Sequence, residues 1–175
     1  MKKSLAAFLS INAMLLSACA SYKALPAPEY VDLDRFMGNW YVIASIPTPF
    51  ERNIVNATEK YERLSERKIK TTFSYRKGDI DGKAKSMHPI GFVSDDPSNA
   101  VWKMQFLWPL KSDYRIVYLD DDYQTTIIGR MKRDYVWILA RTPEISDAHY
   151  NSLVDEIEQL GYDMSKLSKV PQNWE

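Results

Sequence analysis

Apolar and polar residues alternate along most of this chain, in short runs separated by turn-forming residues. The alternation is cleanest in VWKMQF, where Trp102, Met104 and Phe106 share one face and Val101, Lys103 and Gln105 the other. In KIKTTFSY, Ile69, Thr71, Phe73 and Tyr75 oppose Lys68, Lys70, Thr72 and Ser74. A period of two with one apolar face marks a half-buried antiparallel strand. Such strands are predicted over residues 38–46, 54–63, 68–75, 83–93, 101–106, 114–119, 124–130 and 135–140. Pro89 interrupts the fourth, while Lys77-Gly78-Asp79 and Asp95-Asp96-Pro97-Ser98 carry the turn chemistry expected between strands.

After Thr142-Pro143 the period changes. Tyr150, Leu153, Val154, Ile157 and Leu160 recur at helical spacing behind Ser146, a plausible N-cap, and ahead of Gly161, a C-terminal stop. One apolar stripe implies a helix lying on the outside of the strand body. Residues 167–170 read as a short final strand with the C-terminus trailing behind. Eight consecutive antiparallel strands followed by one packed helix define an all-β class, either an up-and-down barrel or a sandwich.

The first residues do not belong to this pattern. Lys2 and Lys3 precede an apolar stretch over residues 5–16, too short to span a bilayer comfortably. It ends in Leu16-Ser17-Ala18-Cys19, and Cys19 is the sole cysteine of the 175 residues. An exported chain with one cysteine has no internal disulfide framework. The tetrapeptide resembles a bacterial lipobox, which implies a signal peptide over residues 1–18 and lipidation of Cys19. Ala20, rather than an aspartate, matches the outer-membrane sorting pattern. Residues 19–30 then form the lipidated cysteine and a tether, leaving residues 31–175 as one domain. The composition, 45% hydrophobic with 23 basic and 23 acidic side chains, suits a globular core and lacks a nucleic-acid footprint.

Three short motifs bring a family into view. Gly38-Asn39-Trp40 opens the first strand, Asp120-x-x-Tyr123 joins the sixth and seventh, and Arg141 follows the eighth. Together they resemble the three motifs of the lipocalins, although Leu119 stands where the second motif usually has threonine. GNWYVIASIPTPFERN, RDYVWILARTPEISD and the lipobox look like the bacterial outer-membrane lipocalins, relatives of apolipoprotein D. The resemblance implies an eight-stranded up-and-down antiparallel β-barrel with a C-terminal α-helix. It also implies that Trp40 sits at the closed end with Arg141 across its indole, and that Gly38 leaves room for the entering backbone. For Gly38, Trp40, Asp120, Tyr123 and Arg141 the favoured role is therefore structural.

A ligand site would occupy the interior and the other end. With Trp40 inward, alternation turns Val42, Ala44 and Ile46 inward as well. Trp102, Met104 and Phe106 are the inward set of the fifth strand, and Tyr114, Ile116 and Tyr118 that of the sixth. Phe73 and Tyr75 complete the lining. Apolar walls with a few hydroxyls suit a lipid-like guest such as a fatty acid or lysophospholipid. The run FLWPL, residues 106–110, keeps three roles open: guarding the mouth, meeting the membrane, or forming a homodimer contact.

Two other classes stand beside the carrier, a lipocalin-fold enzyme and a tethered structural or partner-binding protein with a filled barrel. His88 and His149 have no partnering cysteine and no metal-ligand spacing, and no nucleophile or phosphate-binding motif is present. Asp120-Asp121-Asp122 reads as a solvated turn, and Glu51 and Arg52 as solvated loop charges. The reading calls for no cofactor, no metal and no catalysis. It places the protein in the cell outer membrane, lipid-anchored and facing the periplasm.

Overall fold

Strand alternation closes on itself in the computed structural model, which describes residues 23–174. The strands are β1 (Gly38–Ile46), β2 (Ile54–Ser65), β3 (Lys68–Lys77), β4 (Ala84–Met87) and β5 (Ile90–Val93). β6 (Val101–Leu107), β7 (Leu110–Leu119), β8 (Thr125–Gly129), β9 (Val136–Ala140) and β10 (Ser168–Lys169) follow. Neighbours pair antiparallel in the order β10-β1-β2-β3-β5-β6-β7-β8-β9, and β9 returns to β1. The result is an eight-stranded up-and-down barrel in which β4 and β10 are additions. Pro89 splits what would be one strand into β4 and β5, since it has no N–H for the ladder. β3 spans the break: the Thr71 N–H donates to the Pro89 carbonyl at 3.0 Å.

The periodicity change also forms as a helix, α2 (Asp147–Gln159, numbered after the short α1 described below). Ser146 caps it by accepting the His149 N–H at 3.2 Å. Leu153 and Ile157 bury against Ile43, Val117, Ile127, Val136 and Ile138 on the outside of the barrel. Behind the helix, the Tyr162 hydroxyl accepts from Arg130 N at 2.9 Å and donates to Arg130 O at 3.2 Å. A Cβ on Gly129 would lie 2.5 Å from that hydroxyl, so any other residue there would displace Tyr162 from its bonds to Arg130.

Two elements differ from the sequence reading. A short helix, α1 (Leu33–Phe36), capped by the Asp32 carboxylate, closes one end of the barrel with Phe36 fully buried. Nothing in its four residues carries a helical period, so pattern reading passes over it. The C-terminus, read as trailing, is instead a strap. β1 pairs with β2 from Gly38 to Tyr41, opposite Tyr61 to Thr58, and the two strands then part. Into that seam Gln172 Nε2 donates to Val42 O at 2.7 Å and Ala57 O at 3.1 Å. Val170 N donates to Ile43 O, Asn56 N to Pro171 O and Asn173 N to Asn56 Oδ1. Trp174 stacks edge-on against Tyr41 at 5.4 Å.

The tether segment is partly docked. Leu25 buries in the cluster under α2, and Arg133 Nη2 donates to Lys23 O at 2.8 Å. Cys19 and the signal segment lie outside the described residues.

The strap generates a test. Gln172→Ala leaves two seam carbonyls without their donor, a loss of about 1–3 kcal/mol. Urea unfolding followed by tryptophan emission is expected to show that decrease, while Gln172→Glu, which keeps the shape without the amide donors, should fall at least as far.

Candidate functional site

The closed end is built around one cation. The Arg141 guanidinium lies 3.8 Å from the Trp40 ring centroid, a cation–π contact. Its N–H groups donate to the carbonyls of Asn39 at 2.9 Å, Arg35 at 2.7 Å, Phe36 at 3.2 Å and Tyr123 at 3.2 Å. The Trp40 indole N–H donates to Phe36 O at 2.9 Å, so the fully buried ring has its polar partner. Gly38 has φ +97°, and a Cβ there would sit 3.3 Å from Arg141 Nη1. Asp120 accepts from Gln124 N, Thr125 N and Thr125 Oγ1, shaping the β7–β8 turn. Tyr123, at φ +59°, accepts the Asp32 N–H with its hydroxyl and carries Arg35 over its ring at 3.9 Å. All five motif residues thus meet at the end opposite the mouth, where they are occupied with one another.

Inside the barrel, exposure changes with height. Trp40 and Trp102 are 0% exposed and Tyr61 1%, forming a sealed floor with Phe36. Phe36 contacts all three rings at 5.1 to 5.7 Å. Around it, Glu59 at 7%, Phe73 at 4%, Tyr75 at 8%, Tyr114 at 5% and Trp137 at 7% keep residual exposure. The floor is closed, and these side chains are not fully so. Of the residues read as ligand-facing, Val42, Phe73, Tyr75, Trp102, Met104, Tyr114 and Ile116 belong to the interior cluster. Trp102 lies within the floor itself, its N–H donating to Asn99 O at 2.7 Å.

Three inward assignments are corrected. The pairing of β1 with β9 slips between Val42 and Ala44, and that of β7 with β8 between Ile116 and Tyr118. Each bulge inserts one residue and reverses the faces beyond it. Ala44, Ile46 and Tyr118 consequently lie in the outer cluster beneath α2. Phe106 is the fourth departure: it is 59% exposed at the open end. There the FLWPL run is a hairpin, with Leu107 paired to Leu110 around Trp108-Pro109. Phe50, Ile80, Leu107, Trp108 and Leu110 are exposed large apolar residues of the same rim.

Sequence reasoning missed the polar group of the interior. Glu59 and Tyr61 follow Ala57 at spacing two on β2, which puts a carboxyl on an apolar face; that spacing was the available signal. The hydroxyls of Tyr61 and Tyr114 both donate to Glu59 Oε2, Tyr114 at 3.1 Å, and the two hydroxyls also touch. Burial pushes the Glu59 carboxyl up from 4.5 to about 7; the two hydroxyls oppose that rise and Glu51 adds to it. Burial likewise holds both phenols well above their ordinary value. Glu51, read as a solvated loop charge, is a further correction. It accepts the indole N–H of the interior Trp137 at 3.2 Å and the Thr48 N–H at 2.8 Å.

Among the described residues no three His, Cys, Asp or Glu side chains are grouped to hold a metal ion. His149 engages Thr125 Oγ1 at 3.0 Å on the outside of the barrel, and His88 engages Thr72 and Ser86 hydroxyls at its surface.

Two outcomes follow from this geometry. Trp40→Ala and Trp102→Ala should each lower stability by about 3–5 kcal/mol in chemical unfolding, the cost of emptying a sealed aromatic site. Glu59 binds a proton more tightly folded than unfolded, so its contribution is fully present below pH 4.5 and is lost as pH rises through about 7. Wild-type unfolding free energy should therefore fall by on the order of 2–3 kcal/mol from pH 5 to pH 8 relative to Glu59→Gln. Parallel pH profiles of the two proteins would refute this buried carboxyl.

Comparison with known proteins agrees with the barrel. Residues 31–172 match the family model for the lipocalin-like domain. The chain is 34% identical over 163 residues to temperature-induced lipocalin-1 of Arabidopsis thaliana, covering 86% of this chain and 84% of that one. It is 31% identical over 163 residues to the outer membrane lipoprotein Blc of Citrobacter freundii, covering 91% and 92%. Lobster apocrustacyanin A1 superposes with a TM-score of 0.65 at 10% identity, over 86% of this chain and 91% of that one, a likeness of fold. With a closed eight-stranded barrel, an arginine-covered tryptophan at its foot and these relatives, the chain belongs to the lipocalin family.

Proposed function

We propose that this lipocalin is anchored to the bacterial outer membrane through acylated Cys19, facing the periplasm. There it binds and stores or transports a lipophilic guest, a fatty acid or lysophospholipid, in maintenance of envelope lipids. The observation that carries the reading is the gradient of exposure inside the barrel. A sealed aromatic floor gives way to an aromatic wall with space beside it, and that wall ends in an apolar rim. Such a site captures by equilibrium: each buried CH2 of an acyl chain contributes about 0.8 kcal/mol before the cost of ordering the chain. The outer-membrane lipoproteins among the relatives support the location. Val42, Phe73, Tyr75, Met104 and Tyr114 are the contacts proposed for the guest, beside Trp137.

The test uses the mature chain from Cys19 to Glu175 with Cys19→Ser, which blocks acylation and retains every described residue. Mass spectrometry of solvent extracts should find a single-chain lipid released from the purified protein. Added lipid of that class should change tryptophan emission saturably, because Trp137 borders the space. If no lipid is extracted and none alters the emission, the barrel is filled and the carrier reading fails.

A further inference from the structure

Glu59 is the anomaly of the interior, a carboxyl at the foot of an apolar wall. Its surroundings restrict what it can do for a guest. At its level the paired strands present Trp40 from β1 and Phe73 from β3. The titratable groups facing it are Tyr61 from its own strand, Tyr114 from β7 and Glu51 from the β1–β2 connection. Among the described residues no lysine or arginine offsets its charge; Arg141 lies on the far side of the Trp40 ring, bonded to closed-end carbonyls.

Hydrogen-bond capacity narrows the chemistry further. Each tyrosine has one proton, and both are directed to Glu59 Oε2. Oε1 accepts none from the described residues, yet it is not among the sealed, unpartnered polar atoms of the structure. It therefore keeps part of the residual exposure of Glu59. Once Glu59 is ionised, what the cluster offers inward is lone pairs and negative charge, with no spare donor. A methyl terminus leaves Oε1 unmet, and a carboxylate brings a further negative charge beside Glu51 and Glu59. An ammonium supplies N–H donors and the opposite charge.

We propose that Glu59, Tyr61 and Tyr114 form a cation-selective subsite at the foot of the cavity, taking the amine of a single-chain amphiphile. This subsite rests on the carrier reading and names the chemistry of its guest. Binding is coupled to protons. Free Glu59 keeps its proton up to about pH 7, and an ammonium expels it. Amine affinity accordingly rises with pH, by up to about tenfold per unit below pH 7.

Calorimetric titration of the mature Cys19→Ser chain with dodecylamine, dodecanol and dodecanoate, each below its micellar concentration, tests the assignment. At pH 8 the expected order is amine first, with dodecanoate roughly tenfold or more weaker, a margin set by one charge-assisted contact. The margin should shrink at pH 6. Glu59→Gln should bind amine and alcohol alike at both pH values, and Tyr114→Phe, which keeps the carboxylate, should retain the amine preference. Equal affinity for all three probes in wild type overturns the subsite and leaves the carrier. Binding of none overturns both. A Glu59→Gln protein with native thermal unfolding and an undiminished amine preference also sinks the proposal. If that variant does not fold, the wild-type preference and its pH dependence decide alone.

Discussion

A single guanidinium, that of Arg141, fixes the closed end. Its face covers the Trp40 indole while its edge donates to carbonyls of α1, β1 and the β7–β8 turn. A lysine in its place has no planar face and a single ammonium to distribute. Because these three segments share one cation, the floor of the barrel behaves as one piece. Everything that opens, admits or selects is therefore displaced to the other end and to the level just above the floor. The polarity of the molecule, sealed below and accessible above, follows from that one side chain.

The two bulges solve a second constraint. Strands β1 and β7 must each face the interior along one stretch and present an apolar outer surface to α2 along the next. A regular strand keeps one set of residues on one face throughout its length. By inserting one residue each, near Ile43 and near Val117, the strands supply two adjacent outward apolar side chains where the helix needs them. The barrel gains a covered flank, and the interior gives up Ala44, Ile46 and Tyr118.

This explains what could be read from the sequence and what could not. Strand and helix positions were legible because periods of two and of 3.6 are local properties. The closed-end motifs were legible through resemblance. Face assignment held for Val42, Phe73, Met104, Tyr114 and Ile116, which precede a bulge or lie on strands where the alternation is kept. It failed for Ala44, Ile46 and Tyr118, because a bulge is visible only in the pairing with another strand. Phe106 lies within another slip, between Met104 and Leu107 in the pairing of β6 with β7, and ends up exposed at the open end. Glu59 was missed for a different reason: a lone carboxyl on an apolar face has meaning only once Tyr114, far along the chain, is seen to meet it. The strap escaped notice because Gln172 and Asn173 have no period at all.

That strap orders events in time. β1 emerges early, yet its partners on one side, β9 and β10, lie near the end of the chain, and the seam with β2 is laced by residues 170–173. A nascent chain thus carries an incompletely paired β1 edge until residues 136–173 have been released. Whether the chain leaves a ribosome or threads a translocation pore, the barrel has no closed form to adopt beforehand. Release of that segment and completion of the container are the same event.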